Sequence, residues 1–191
     1  MSDPGVAHYG ELVTRWMSDP ACVTWCSGLD VEQAARCFGA DVESGTPMTV
    51  TDAEFEHYDE AWQTVLVGSL DGWTLAIEPN GGEARSSEVM AALSIAGEAF
   101  TLYWNGPAQV EFNYAAQGRL IASIPKSPVT DWPSAMKEVV APHVPGLSFP
   151  TTPDDQWKTS AFTLAARLSN TYLTDRWLET EHCRFVISTV L

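Results

Sequence analysis

Hydrophobic residues recur at helical spacing in several parts of the chain. Tyr9, Leu12 and Trp16 lie three and four residues apart, which indicates one buried face of a short helix. Trp157 begins a longer stripe of the same period near the other end. This spacing and the helix-start signals predict helices over 9–17, 21–27, 31–38, 51–62, 87–96, 134–140, 157–172 and 174–178.

Two start signals place the second and third of these helices. Asp19-Pro20 offers a capping side chain followed by a proline at the first helical position, which favours a helix over Ala21–Ser27. Asp30 precedes Gln33 by three residues, the spacing of a capping box. The first forty residues are therefore predicted to hold three short helices.

A third start signal opens the next helix. Thr51 and Glu54 repeat the capping-box spacing. Phe55, Tyr58 and Trp62 then follow at helical intervals, so we expect all three aromatic rings to face the core.

Short apolar runs joined by turn residues fill the middle of the chain. Asp71-Gly72 supplies the positive backbone angles of a tight hairpin, and Gln117-Gly118 repeats the signal. Hairpins that follow one another predict an antiparallel meander. The predicted strands are Thr64–Gly68, Trp73–Glu78, Phe100–Trp104, Gln109–Tyr114 and Arg119–Ile124.

These elements predict an α+β fold: an antiparallel sheet of about five strands, helices packed on at least one face, and helical segments at both ends. We expect one domain, with a helical N-terminal part (1–62), a sheet core with one helix (63–125), a Pro-rich connection (126–153) and a helical C-terminal part (154–191). Asp41–Pro47 is predicted to be a loop. Phe185–Leu191 fits either an added strand or a packed tail.

Acidic residues dominate the front of the chain. The formal net charge is −15, and residues 1–80 hold fourteen acids against two bases. Such a surface repels phosphate backbones and anionic lipid, so we expect no nucleic-acid or membrane binding. It attracts a basic protein, and the acids of the helix over 51–62, chiefly Glu56, Asp59 and Glu60, are the predicted contact residues.

The cysteine content and the N-terminal sequence indicate the cellular compartment of the protein. The chain starts without a basic, apolar signal peptide and has no apolar run long enough to cross a bilayer, so we expect a cytoplasmic protein with reduced thiols. Four soft ligands could form a zinc site. Their spacing lacks the tight knuckle of such sites, so we expect buried free thiols, no metal and no cofactor. The weak metal candidates are Cys22, Cys26, Cys37 and Cys183.

Several stretches resemble an uncharacterised protein family common in actinobacteria, a domain of unknown function. The stretches are Cys22 to Asp30, Pro47-Met48-Thr49, Gly68 to Gly81 with its Leu-Asp-Gly-Trp-Thr and Glu-Pro-Asn-Gly parts, and Ala165 to Glu179. The resemblance spans most of the chain. It implies kinship and no mechanism, because no activity is assigned to the family.

A small-molecule site between sheet and helices is the alternative to protein binding. Glu78 and Asn80 precede Gly81-Gly82 and a helix start at Ser86, so they could form the polar edge of a binding site. Neither the glycine order nor a following Lys-Ser/Thr pair matches a phosphate loop. Glu78 and Glu111 could pair for acid/base work.

Aromatic residues at strand ends offer a second anchor for a ligand or partner. Tyr103 and Trp104 face opposite sides of a strand, so one of them is either covered by another element or exposed beside Asn105. Since no nucleophile motif accompanies the four histidines, we expect no catalytic residue. The leading hypothesis is a non-enzymatic acidic interaction protein such as an immunity protein or antitoxin.

Overall fold

The computed structural model describes residues 4–60, 63–106, 109–150 and 154–188, with the backbone alone at 57–60 and 154. Eight strands, β1 to β8, lie in this part of the chain. In chain order they are Ala21–Ser27, Ala40–Met48, Thr64–Leu70, Trp73–Pro79, Glu98–Trp104, Val110–Ala116, Arg119–Pro125 and His182–Ile187.

Seven α-helices, α1 to α7, accompany the strands in the described residues. In chain order they are Pro4–Trp16, Val31–Cys37, Val50–Glu60, Ser87–Leu93, Ser134–Val140, Asp154–Ser169 and Asp175–Glu179. Two 3₁₀ turns, Glu83–Arg85 and Val129–Asp131, precede α4 and α5. None of the described helices combines the length and the apolar character needed to span a bilayer.

The strands form one antiparallel sheet in the order β2-β8-β3-β4-β1-β5-β6-β7. The α+β class and the antiparallel pairing are confirmed, but the prediction of about five strands is too low because the sheet has eight. The five predicted strands are present as β3 to β7. The predicted meander is interrupted, since β1 lies between β4 and β5.

Strand β1 corrects the prediction of a helix over Ala21–Ser27. It hydrogen-bonds to β4 on one side and to β5 on the other, so its backbone groups are paired along both edges. Val23 and Trp25 face one core cluster, whereas Cys22 and Cys26 face the other. A strand buried on both faces lacks the alternation of apolar and polar residues that identifies a strand in a sequence.

The far end of the sheet corrects two further expectations. Strand β2 runs through Asp41–Pro47, where a loop is predicted, and pairs with β8 across an irregular register. Strand β8 decides the question left open at the C-terminus, because its residues form an inner strand between β2 and β3. The C-terminal part contains α6 and α7 but, in the described residues, ends in this strand rather than in a helix.

Several local predictions are confirmed. Asp71 and Gly72 have φ of 46° and 86°, as a two-residue hairpin between β3 and β4 requires. The capping box at Asp30 forms, with the Gln33 N–H donating to the Asp30 carboxylate at 2.8 Å. Thr174 caps α7, and its hydroxyl oxygen accepts from a backbone N–H at 3.3 Å. Each signal involves residues close in sequence.

Helices cover both faces of the sheet. Helices α1, α3, α5, α6 and α7 contribute to the larger core, while α2 and α4 pack on the opposite face. Trp25 of β1 is 1 % exposed and lies in the larger core, with its ring centroid 5.4 Å from Phe100 and 5.8 Å from Phe162. The central strand is thus fixed by ring packing as well as by its hydrogen bonds.

We expect Trp25→Ala to lower the free energy of unfolding by about 3–5 kcal/mol, because it removes a fully buried ring and leaves a cavity. Urea unfolding followed by far-UV circular dichroism measures the change. The matched control is Ile95→Ala, since Ile95 is 71 % exposed and its truncation should shift the value by less than about 0.5 kcal/mol. Equal losses in the two variants would contradict the placement of β1.

Candidate functional site

The capping pair of helix α3 lies two residues earlier in the chain than predicted. The Asp52 N–H donates to the Thr49 hydroxyl oxygen at 3.2 Å, and the Asp52 carboxylate accepts from the Thr49 hydroxyl at 2.7 Å. The reciprocal pair is therefore Thr49 with Asp52 instead of Thr51 with Glu54. The helix buries Val50 and Ala53 against the sheet.

Phe55 corrects the expectation that its ring faces the core, whereas the Tyr58 side chain and Trp62, for which the same is predicted, lie outside the described residues. The Phe55 side chain is 65 % exposed. Each residue of an α-helix turns by about 100°, so Phe55 lies roughly 200° around the axis from the buried Ala53. Thr51 and Asp52, which share its face at i−4 and i−3, are both exposed. Their polarity is the sequence signal that should have identified a solvent-facing aromatic residue.

Exposed carboxylates precede this aromatic residue in the chain. Asp41 and Glu43 are exposed on β2, the edge strand of the sheet, and Asp52 is exposed on α3. Asp41 lies opposite Val186 in the register, on the side of the sheet that α3 covers. We use the name acidic edge for five residues of β2 and α3 that are exposed or half-buried: Asp41, Glu43, Asp52, Glu54 and Phe55. Sequence reasoning missed its first two members because β2 was predicted to be a loop.

Glu54 is the half-buried member of the acidic edge. Burial, and next the negative charge of Asp19, raise the pKa of the Glu54 carboxyl to about 7. Asp19 belongs to the connection between α1 and β1, so the negative field extends beyond β2 and α3. A positively charged group placed here would offset both effects, because it stabilises the ionised carboxylate.

Glu56, a predicted contact residue, lies on the inner side of α3. Its carboxylate pairs with the Arg184 guanidinium of β8, and the two side chains are 14 % and 8 % exposed. Removing one partner of such a pair leaves a buried charge and costs about 3–5 kcal/mol. The pair therefore fixes how α3 lies on the sheet. The side chains of Asp59 and Glu60, the other predicted contacts, lie outside the described residues.

Glu78 occupies a closed environment on the opposite face of the sheet. It is 1 % exposed, and its carboxylate accepts from the backbone N–H groups of Glu83 at 2.6 Å and Ala84 at 3.2 Å. A Cβ on Gly81 would come within 2.9 Å of the Glu78 Cβ, so the loop folds tightly over the side chain. The carboxylate anchors the 3₁₀ turn instead of lining an open cleft.

Burial dominates the electrostatics of Glu78. It raises the pKa of this carboxyl to about 7, against the opposing effect of the Ala84 and Glu83 N–H groups. The neighbouring thiol of Cys22 has a pKa well above its ordinary value, because burial and then the Glu78 charge disfavour the thiolate. Neither group is placed to act as a nucleophile on an external molecule.

Glu78 and Glu111 stand in one row of the sheet, with Cys22 and Tyr103 between them. Three strand spacings separate the two carboxylates, roughly 14 Å, which is too far for joint acid/base work. The Arg85 guanidinium carbon lies 4.3 Å from the Tyr103 ring centroid, and Nη2 is 3.4 Å from Glu111. Through Arg85, the Glu83–Arg85 turn thus covers the side chains of this row.

The remaining predicted binding residues lie near one edge of this region. Trp104 is 2 % exposed, and its indole N–H donates to the Asp19 carbonyl at 2.6 Å, so its ring belongs to the core. Asn105 is exposed in the turn after β5. Asn80 is exposed with φ of 52°, and its N–H donates to the Pro20 carbonyl. The buried ring of Trp104 therefore does not line a site with the two exposed asparagines.

The cysteines are all free thiols. Cys22 and Cys26 lie on one side of β1 and are four strand residues apart, roughly 13 Å, so they cannot bind the same ion. Burial raises the pKa of Cys26 to about 12. In the part of the chain that the structure describes, no three His, Cys, Asp or Glu side chains come together as a metal site.

Comparison with known proteins identifies a family and no activity. A model described as a family of unknown function, DUF6461, matches residues 9–190. No curated protein and no solved structure matches the chain.

The raised pKa of Glu78 predicts a pH-dependent stability. A carboxyl whose pKa is higher in the folded state stabilises fully below its unfolded value, near 4.5, and this contribution is lost as pH rises through about 7. In Glu78→Gln the loss is absent. Relative to the wild type, the variant should therefore gain on the order of 3 kcal/mol between pH 4.5 and 7. Urea unfolding of both proteins across this range measures the difference, and parallel curves would refute the assignment.

Proposed function

Because the chain belongs to the family of unknown function DUF6461, whose description assigns no activity, we propose its function from the geometry of its surface. We propose that it is a non-enzymatic interaction protein that binds a basic protein through the acidic edge, in the manner of an immunity protein or antitoxin. The observation that carries the proposal is Phe55, an aromatic side chain 65 % exposed on a helix that also bears Asp52 and Glu54.

Charge complementarity supports a basic partner. The first 80 residues contain two bases, and both form ion pairs with carboxylates outside the acidic edge. Arg15 pairs with Asp175 at 3.0 Å, and Arg36 pairs with Glu32 at 3.0 Å. Within the described residues, no carboxylate of the acidic edge forms an ion pair. These carboxylates keep their attraction for a cationic surface, and this attraction speeds association at low salt.

Phe55 contributes binding affinity that the exposed charges alone do not provide. Exposed carboxylates contribute steering and little net affinity, since water screens them. An aromatic ring buried on association contributes much more, and interface hot spots are typically aromatic residues surrounded by polar ones. Phe55 follows Asp52 and Glu54 on a helix that the Glu56–Arg184 pair holds in place.

The buried groups support a non-enzymatic role. Glu78 and Cys22 show strongly raised pKa values, but both are buried and bonded to the protein's own groups. We also propose that the partner is met in the cytoplasm, which the four free thiols support. The actinobacterial origin of the family and its motif over Gly68 to Gly81 stay predictions.

Phe55→Ala should weaken binding of the basic partner at least about tenfold, since truncating an aromatic anchor typically costs more than 1.4 kcal/mol. The partner is first identified with a photo-crosslinking residue at position 55 in the native cell. The same residue at position 95 is the matched control, because Ile95 is also an exposed apolar side chain. Calorimetry with the purified partner at low and high salt then gives the dissociation constants.

Support requires a basic protein crosslinked from position 55 and not from 95, with affinity reduced by salt and by Phe55→Ala. A partner that binds Phe55→Ala and wild type equally well would overturn the proposal. Equal crosslinking from both positions would do the same.

The raised pKa of Glu54 predicts that binding depends on pH. A cationic partner prefers the ionised carboxylate, so affinity should fall as pH drops below about 7, by up to about tenfold per pH unit. Glu54→Gln should bind more weakly at pH 8 and show a flatter pH profile. Dissociation constants at several pH values test this, and an unchanged profile in the variant would exclude Glu54 as the titrating group.

A further inference from the structure

We infer that a second site, which shares no residue with the acidic edge, binds a small zwitterion with a carboxylate and an ammonium group, the chemistry of a free amino acid. The site is an open pocket of about 540 Å³ between the β3–β4 turn and α7. This volume lies within the range of small-molecule sites. Its lining includes Asp71, Tyr172, Arg176, Trp177 and His182.

The floor of the pocket is held rigidly. The rings of Trp177 and His182 stack with centroids 3.8 Å apart, and the Trp177 indole N–H donates to the Ser69 carbonyl at 2.9 Å. His182 also lies directly over Gly68, where an added Cβ would meet Nδ1 at 2.2 Å. The imidazole is therefore enclosed between a glycine and an indole, so the floor is formed before any ligand arrives.

The floor carries no charge. His182 Nε2 lies 2.8 Å from the Trp177 carbonyl oxygen, and since a carbonyl only accepts, the proton is on Nε2. Burial lowers the pKa of His182 from its ordinary value, which keeps the ring neutral at physiological pH. The charges that a ligand meets in this pocket therefore come from its rim.

The rim presents two opposite charges. Asp71 lies in the β3–β4 turn and Arg176 in α7, and both are exposed. In the described part of the chain neither side chain forms an ion pair, with the other or with a third residue. A guanidinium binds a carboxylate through two hydrogen bonds, and a carboxylate binds an ammonium group. One ligand with both groups satisfies the two charges together.

Tyr172 gives the pocket an aromatic wall. Its side chain is 49 % exposed, and its ring stacks on Tyr9 with centroids 6.1 Å apart. The ring is thus supported from behind while part of it faces solvent. An exposed ring beside a pair of charges favours amino acids with flat or apolar side chains.

Isothermal titration calorimetry of the whole protein with each proteinogenic amino acid tests the inference. At least one should bind, and its N-acetyl and carboxamide derivatives should bind at least about tenfold more weakly, because each lacks one charge. Arg176→Gln and Asp71→Asn should weaken binding of the amino acid by a similar factor. The matched control, Arg119→Gln at the far edge strand β7, should not change the affinity.

Absence of binding by every amino acid would overturn the inference. Binding that survives the loss of either ligand charge, or either rim substitution, would do so too. Arg176→Gln and Asp71→Asn should leave the dissociation constant of the basic protein partner unchanged, so failure of this site and failure of the acidic edge are separate outcomes.

Discussion

The double pairing of β1 is the constraint on which the rest of the fold depends. This strand joins β2-β8-β3-β4 to β5-β6-β7, and its backbone groups bond to both neighbours. A strand in this position needs apolar or satisfied side chains on both faces, which Trp25 and Cys22 provide on opposite sides. Because side chains fill the space on both faces of the central strands, the exposed polar side chains of the proposed sites lie at the margins of the sheet.

One strand positions both proposed sites at those margins. Arg184 of β8 pairs with Glu56 and holds α3 with its exposed Phe55. His182, two residues earlier, forms the floor of the pocket with Trp177. The C-terminal strand therefore gives the acidic edge and the zwitterion pocket a shared rigid support, while the charges that would meet partners remain on α3, α7 and the β3–β4 turn.

Features that depend on neighbouring residues were predictable. Asp71 and its glycine determine the hairpin, because only a few residues adopt positive φ at low cost. Asp30 and Thr174 mark helix starts through bonds that span three residues. The apolar runs that form β3 to β7 have the residue composition of strands, and this can be recognised without knowing their position in the sheet. The sequence by itself therefore determined the fold class, five strands and most helix starts.

Only the tertiary structure decided which segments share neighbours. Asp19-Pro20 favours a helix locally, yet pairing with β4 and β5 makes the next residues a strand. The polarity of Thr51 and Asp52 signals that the Phe55 face of α3 is exposed, but only the burial of Ala53 against the sheet fixes which face packs. Glu78 becomes a buried anchor through the amides of a later turn. Burial and strand order depend on contacts between distant residues, so local patterns do not determine them.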